Sequence, residues 1–182
     1  GACRDRQCLS PTPCKNLRVS HAELCGILKK MSRLPGVKKV FIRSGIRFDY
    51  VMADKDSAFL RQLCAHHVSG QLKVAPEHVS GEVLRLMNKP CYAVYERFAR
   101  RFEAATKKAG KPQYLLPYYI SSHPGSTLSD AIELALTLKK QGFVPEQVQD
   151  FYPTPGTISA CMFYTGLDPM TGKPVYVART PR

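Results

Sequence analysis

The sequence predicts an α/β fold in which parallel strands alternate with helices. Short β-branched or aromatic runs alternate with longer segments of helical periodicity, and the 182 residues are 44% hydrophobic, enough for a buried core. Strands joined through helices of this length need crossover connections. We therefore expect a parallel sheet, either doubly wound or curled into a barrel.

The predicted elements alternate along most of the chain. In order they are a helix from Ser20 to Pro35-Gly36, a strand over 38–44, a helix over 56–68, a strand over 71–75, helices over 81–87 and 93–109, a strand over 114–121, a helix over 127–141 and a strand over 147–151. Ser20 and Glu23 have the spacing of a capping box. After Ile158 the pattern ends, which predicts an irregular tail.

The chain is strongly basic. Lysine and arginine outnumber acidic residues by 27 to 14, giving a formal charge of +13, so phosphates and other anions are attracted to it. The basic residues are spread through the predicted helices, which is typical of a solvated face and leaves nucleic-acid binding as an alternative. No apolar run reaches the roughly 18 residues that span a bilayer, and no leader opens the chain, so we expect a soluble, cytoplasmic protein.

Seven cysteines without a secretory leader argue against a disulfide framework. Cys3, Cys8 and Cys14 crowd into one polar, proline-containing loop. We predict that this loop, residues 1–19, holds zinc or an auxiliary iron-sulfur cluster, with a fourth ligand from an upstream cysteine or from His21. The alternative is three exposed thiols that bind nothing.

The ends of the first two predicted strands carry candidate binding residues. Parallel α/β folds build their sites from the loops after the carboxyl ends of strands. Ser44 and Arg47 follow the first strand and suit a carboxylate or phosphate, unless Arg47 instead forms a structural pair with Asp49. Glu77 follows the second strand and could bind a hydroxyl or ammonium group, whereas the adjacent His78 is read as neutral in function.

The ends of the last two predicted strands are tight polar turns. The segment 117–127 contains Ser122 and runs into a helix start, where exposed amides favour anions. The segment 151–157 begins with Phe151 and Tyr152, whose rings could stack on a ligand ring. Either segment could also be a turn without a ligand.

Taken in order, these segments resemble radical S-adenosylmethionine enzymes of the group that includes the methylthiotransferases, and most closely the uncharacterised YgiQ-type subfamily. The phrases that carry the resemblance are Ser-Gly-x-Arg-x-Asp at 44–49, Ala-Pro-Glu-His at 75–78 followed by Leu-Met-Asn-Lys at 86–89, His-Pro-Gly at 123–125 and Gln-Asp-Phe-Tyr-Pro at 149–153. The resemblance extends over about residues 38–157.

The resemblance implies that residues 20–157 are the C-terminal part of a partial (β/α)6 TIM-like barrel. It also implies reductive cleavage of S-adenosylmethionine at a [4Fe-4S] cluster, giving a 5′-deoxyadenosyl radical, with electrons from a protein such as flavodoxin or ferredoxin. By family position, Glu77 would contact the ribose or amino group, and Lys89 or Arg47 the carboxylate. Ile120 with residues 151–153 would contact adenine.

The chain departs from the family at two positions and lacks one motif. Ser126 stands where the family has glutamate, and Lys89 stands where it has arginine, offering a point charge in place of a fork. No Cys-x3-Cys-x2-Cys motif, which would hold the cluster, occurs in the sequence. We therefore expect an inactive fragment of a longer enzyme, with 158–182 leading into a missing segment. The substrate is open, and RNA is one candidate.

Overall fold

The computed structural model describes residue 3 and residues 8–10, 12–142, 144–145 and 147–179. The chain divides into two compact units. The first unit comprises Gly1–Thr12, Pro76–Tyr92 and Tyr118–Arg182, and the second comprises Pro13–Ala75 and Ala93–Pro117. No helix among the described residues is long and apolar enough to cross a bilayer.

The helices and strands alternate along the chain. They are α1 (Ala22–Ser32), α2 (Phe48–Ala53), α3 (Ala58–Gln62) with a π-helical continuation (Leu63–His67), β1 (Gln71–Glu77), α4 (Gly81–Leu86), α5 (Tyr92–Ala109), β2 (Tyr114–Ser121), α6 (Leu128–Lys140), β3 (Gln147–Asp150) and α7 (Ile158–Thr165). The strands form one parallel sheet in the order β1-β2-β3. The predicted α/β class is therefore compatible with the structure, which shows a small sheet.

The core of the second unit contains the apolar face of α5. Tyr95, Phe98 and Phe102 recur every three or four residues and are buried, because this spacing places them on one side of a helix. Phe48 of α2 packs on this side, with ring centroids 5.7 Å from Tyr95 and 5.9 Å from Phe98. These contacts attach α2, a helix the sequence did not predict, to α5.

The core of the first unit lies between β2 and α6. Tyr119 is fully buried on β2 and clusters with Val79, Leu134 and Leu138, while Tyr92 packs against the group. Leu134 and Leu138 are four residues apart on α6 and so share one face. The carboxyl half of β2 is thereby fixed beside β3, with Tyr118 opposite Gln147 and Ser121 opposite Asp150.

Two sequence predictions near the N-terminus are wrong. Residues 38–44 form no strand, and the region instead makes an isolated parallel bridge between Ile46 and Val74. A strand requires a continuous ladder of hydrogen bonds to a neighbour, and β-branched composition alone does not supply one. The helix that follows Ser20 begins at Ala22 with His21 as its N-cap, so the capping box with Glu23 does not form.

The expected irregular tail is also wrong over Ile158–Thr165, which is α7. Thr157 caps its start by accepting a hydrogen bond from the Ala160 amide, and Gly166 ends it in the left-handed conformation. Beyond α7 the chain folds back, because the Val175 amide donates to the Gly166 carbonyl over 2.7 Å. The predicted division of the chain at residues 19 and 157 stays a prediction.

Candidate functional site

A cavity of about 300 Å³ lies at the carboxyl ends of the strands in the first unit. Its walls come from the end of β1, the carboxyl half of β2, β3 with the turn after it, and the start of α7. The lining residues are Glu77, Met87, Tyr118, Ile120, His123, Gln149, Asp150, Phe151, Tyr152, Thr154, Thr157 and Ser159. This is the position at which parallel α/β folds place their ligands.

Glu77 and Lys89 form a charged pair at this cavity. The carboxylate oxygen Oε1 of Glu77 lies 2.6 Å from Nζ of Lys89, and the two side chains are 17% and 25% exposed. Partial burial strengthens such a pair relative to one in open water. The site thus presents a fixed negative and a fixed positive group side by side, each still accessible to a ligand.

Backbone conformation places both members of the pair. Glu77 has φ of 66°, an unusual left-handed conformation that ends β1. Asn88, with φ of 54°, ends α4 in the same conformation, while the Lys89 amide donates to the Leu84 carbonyl and the Asn88 amide to the Arg85 carbonyl. These bonds form a Schellman motif, with asparagine at the position that glycine usually takes. The motif orients the Lys89 side chain.

His123 forms the floor of the cavity together with Ser159. Its Nδ1 lies 2.8 Å from the Pro124 carbonyl oxygen and its Nε2 lies 2.8 Å from Ser159 Oγ. Because a carbonyl only accepts, Nδ1 carries the proton and Nε2 accepts from the serine hydroxyl. Burial lowers the pKa of His123 to about 4, although the bond to Pro124 opposes this and nearby His78 adds to it. The ring is therefore neutral near pH 7.

His78 is buried beside the site and is also neutral. Burial lowers its pKa, and the Asp130 carboxylate acts in the opposite direction. The Ser80 amide donates to His78 Nδ1 over 3.0 Å, immediately before α4 begins. This contact fixes the backbone of the residue that precedes α4, and the absence of a ligand-binding role for His78 stays a prediction.

Aromatic and carboxylate groups complete the walls. The ring of Phe151 meets that of His123 edge to face, with centroids 5.0 Å apart, and also contacts Phe163. Asp150 accepts a hydrogen bond from the Ser121 hydroxyl across β2 and β3. Tyr152 lines the cavity and is 74% exposed, so an aromatic ring is available to a ligand.

The structure brings together most of the predicted strand-end residues. Glu77, Ile120, Phe151 and Tyr152 line the cavity, and Lys89 contacts it through Glu77. Ser122 lies in the turn after β2 and is exposed, with φ of 59°. Their assignment to a cofactor stays a prediction.

Ser44 and Arg47 lie in the second unit. Arg47 donates to both carboxylate oxygens of Asp49, over 2.9 and 2.5 Å, and its guanidinium lies 5.1 Å from the Tyr50 ring centroid. Asp49 is buried and also accepts from the Tyr50 amide at the start of α2. Arg47 thus forms the structural pair with Asp49 that the sequence analysis named as the alternative to ligand binding. Ser44 is exposed.

The cysteine loop is described only in part. Cys3 and Cys8 are exposed and Cys14 is half-buried, and all three are free thiols. No group of three or more His, Cys, Asp or Glu arranged to hold a metal is found among the residues that the structure describes. Nδ1 of His21, the candidate fourth ligand, lies 2.7 Å from Asp54 Oδ2. The metal site stays a prediction.

Sequence reasoning does not select several of the lining residues. Ser159 falls in the stretch predicted to be irregular, and Gln149 and Asp150 belong to the Gln-Asp-Phe-Tyr-Pro phrase but carry no predicted binding role. The Thr157 N-cap and the left-handed Gly166 are the signals that identify α7 and, with it, Ser159. His123 is visible in the His-Pro-Gly phrase, but its pairing with Ser159 depends on the fold.

Comparison with known proteins finds similar chains that are named as UPF0313 proteins. It is 56% identical over 179 residues to a UPF0313 protein of Clostridium botulinum strain 657, and 57% identical over 180 residues to one of Clostridium perfringens strain ATCC 13124. These alignments cover 98% and 99% of this chain but 28% and 27% of the relatives. The chain therefore spans about a quarter of the length of the curated relatives it matches.

Residues 146–182 also match a family described as a domain of unknown function, DUF3362. This match includes β3, α7 and the returning segment after it. No solved structure is significantly similar to the chain.

Proposed function

We propose that this chain forms the cofactor-contacting strand ends of a radical S-adenosylmethionine enzyme whose remaining length supplies the cluster. The observation that carries the proposal is the Glu77–Lys89 pair at the carboxyl end of β1, beside a cavity. Support also comes from the family phrases and from the UPF0313 relatives, which are longer than this chain.

The charges of the pair fit an amino-acid group. The methionine part of S-adenosylmethionine carries an ammonium and a carboxylate on one carbon, so it can meet a carboxylate and an ammonium that lie 2.6 Å apart. Glu77 would accept from the ligand's amino group and Lys89 would donate to its carboxylate. A site with only a carboxylate or only an ammonium group would pair with one end of this zwitterion and leave the other end unpaired.

The remaining walls fit a nucleoside. Ile120 and Phe151 provide apolar surface, and the exposed ring of Tyr152 is available for stacking on adenine. The neutral His123 and its serine partner keep the floor uncharged. Within the proposal, these residues bind and orient the cofactor and help to keep water from the reacting atoms.

Reductive cleavage of S-adenosylmethionine at a [4Fe-4S] cluster, giving a 5′-deoxyadenosyl radical, is the chemistry that the bound groups would supply. A flavodoxin or ferredoxin would deliver the electron, in the cytoplasm. The substrate is not assigned, and Cys3, Cys8 and Cys14 would hold zinc or a second cluster. This chain alone would be inactive.

The test uses the full-length protein reconstituted anaerobically with iron and sulfide. Iron content is measured first, and then 5′-deoxyadenosine formed with dithionite and S-adenosylmethionine is measured for the wild type, Glu77→Gln and Glu103→Gln. Glu103 is a matched control because it forms an exposed pair with Lys107 on α5. We expect Glu77→Gln to lower formation by about tenfold or more, a loss of roughly 1.4 kcal/mol of stabilisation, with the control unchanged.

Two results would overturn the proposal. One is a well-folded parent that binds no cluster or forms no 5′-deoxyadenosine. The other is a Glu77→Gln variant with wild-type activity and wild-type affinity for S-adenosylmethionine, which would remove Glu77 from the site.

A further inference from the structure

A larger cavity, of about 950 Å³, lies in the second unit and shares no lining residue with the first cavity. It is formed by the end of α1, the segment 38–41, the helix 58–67 and the turns that precede β1 and β2. Six of its lining residues are lysine or arginine: Lys29, Arg33, Lys38, Lys39, Arg61 and Lys111. None of the described residues that line it is an aspartate or glutamate.

The cavity differs from an ordinary solvated surface because its charged lining residues are all positive. The chain as a whole carries 14 acidic residues, and surface cations usually alternate with them. Arg61 is partly compensated by Asp56, 3.7 Å away and outside the lining, and Lys111 donates to the Ala65 carbonyl. The other four cations belong to the end of α1 and the segment after it.

An aromatic ring lies among the cations. Phe41 is 40% exposed, and Lys39 Nζ lies 5.9 Å from its ring centroid. Two hydrogen bonds to His67 hold the residues on either side of Phe41. His67 Nδ1 lies 2.8 Å from the Val40 carbonyl oxygen, and the Ile42 amide donates to the His67 carbonyl. The ring is therefore presented on a fixed backbone.

A buried hydrogen-bond acceptor without a partner also borders this cavity. Gln113 is 9% exposed, and its Nε2 donates to the carbonyls of Cys64 and Val68, which fixes the orientation of the amide. Its Oε1 is the single buried side-chain oxygen or nitrogen without a partner in the part of the chain that the structure describes. Such atoms are costly, and this one belongs to a residue that lines the cavity.

We infer that this cavity binds a nucleoside polyphosphate, with its phosphates against the lysines and arginines and its base against Phe41. Several clustered cations suit several phosphate charges, and base–aromatic stacking adds contact that an inorganic anion lacks. The volume lies within the range of small-molecule sites. This inference goes beyond the proposed function and involves other residues.

The test measures ligand binding by calorimetry on the full-length protein, without iron, reductant or S-adenosylmethionine. The probes are ATP, inorganic triphosphate, adenosine and a single-stranded oligouridine. We expect ATP to bind more tightly than triphosphate, and triphosphate more tightly than adenosine. K38A/K39A should weaken ATP binding by about tenfold or more, whereas the control K107A/K108A, an exposed lysine pair on α5, should leave it unchanged.

Phe41→Leu separates stacking from charge. We expect it to weaken ATP binding by about tenfold, in line with the stacking energy of one base, and to leave triphosphate binding unchanged. Failure of the cofactor proposal would not alter these results, since they do not depend on a cluster.

Four results would overturn the inference. Equal weakening by K38A/K39A and K107A/K108A would indicate an ordinary basic face. Equal affinity for ATP and triphosphate would remove the base from the site. Tighter binding of the oligouridine, competed by ATP, would make the ligand RNA. No binding by the full-length protein would indicate that its remaining length fills the cavity.

Discussion

The Nε2 atom of His123 lies 2.8 Å from the hydroxyl oxygen of Ser159 and accepts a hydrogen bond from that hydroxyl. Since Nδ1 donates to the Pro124 carbonyl, both ring nitrogens are occupied while the ring is neutral. Protonation would place a second N–H against the hydroxyl and a charge in a buried position. The contact joins the turn after β2 to α7, so the charge state of His123 bears on the integrity of the cavity floor.

Acid is expected to destabilise the first unit through His123. The pKa of this residue is about 4 in the folded protein and about 6.5 when unfolded, so the unfolded state binds more protons between these values. Its contribution is therefore present above pH 6.5 and lost as the pH falls toward 4, by up to about 3 kcal/mol. Histidine NMR titration should give the low pKa directly.

Denaturant unfolding from pH 7 to 4.5 measures the consequence for stability. His123→Gln should flatten the dependence, leaving the part due to His78, whose pKa burial also lowers. A His123 that titrates near 6.5 in the folded protein would contradict this prediction.

Substitutions at Asn88, which ends α4, should change stability according to how well the new residue adopts a left-handed backbone conformation. Asn88→Gly keeps φ of 54° without strain and should change the free energy of unfolding by less than about 0.5 kcal/mol. Asn88→Val should cost about 1–2 kcal/mol, because a β-branched side chain disfavours this conformation. Thermal unfolding of the two variants measures the difference, and equal stabilities would rule out the Schellman motif.

Gly125 should tolerate alanine poorly for two reasons. Its φ is 92°, and an added Cβ would clash with Leu86 Cδ1. Gly156→Ala is a matched control, since its φ is 78° and nothing lies within 4 Å of the added atom. We expect Gly156→Ala to cost about 1 kcal/mol of stability and Gly125→Ala about 1–3 kcal/mol more, by overpacking.

Chemical denaturation of the two alanine variants measures this gap. A Leu86→Ala background should narrow it, because it removes the contacted methyl group. Equal losses for the two glycine positions in the original background would contradict the close contact.

Gln113 is expected to stabilise the second unit through its amide. Gln113→Leu would leave the Cys64 and Val68 carbonyls without their donor and should lower the free energy of unfolding by about 1–3 kcal/mol. Gln141→Leu is the control, because Gln141 is exposed and its amide makes a 3.3 Å bond to the Tyr92 hydroxyl. Denaturant unfolding should show the difference, and similar values for both variants would refute it.

Thiol reactivity provides a test of the cysteine loop. Burial raises the pKa of Cys64 to about 12, so it should resist iodoacetamide at pH 8 in the folded protein, while exposed Cys91 reacts. If Cys3, Cys8 and Cys14 bind metal, zinc or iron-sulfur reconstitution should protect these three and leave Cys91 reactive. Mass spectrometry of the labelled protein reads each site, and unchanged labelling after reconstitution would contradict the metal prediction.

Local sequence signals account for most of the helices and strands. β2 is predicted with the bounds it has, and α5 within one residue, because side-chain periodicity and flanking glycines act over a few residues. The segment 38–44 is different. Its β-branched composition favours a strand, but strand formation depends on a neighbour elsewhere in the chain.

The sequence by itself determined the alternation of helices and strands, the basic character of the chain and the strand ends at which Glu77 and Phe151 lie, since all of these are local or compositional. Only the tertiary structure decided that Lys89 pairs with Glu77, that Ser159 bonds to His123 and that α7 borders the cavity. The physical reason is that these contacts depend on left-handed backbone turns and on packing between distant segments, neither of which leaves a periodic signal in the residues themselves.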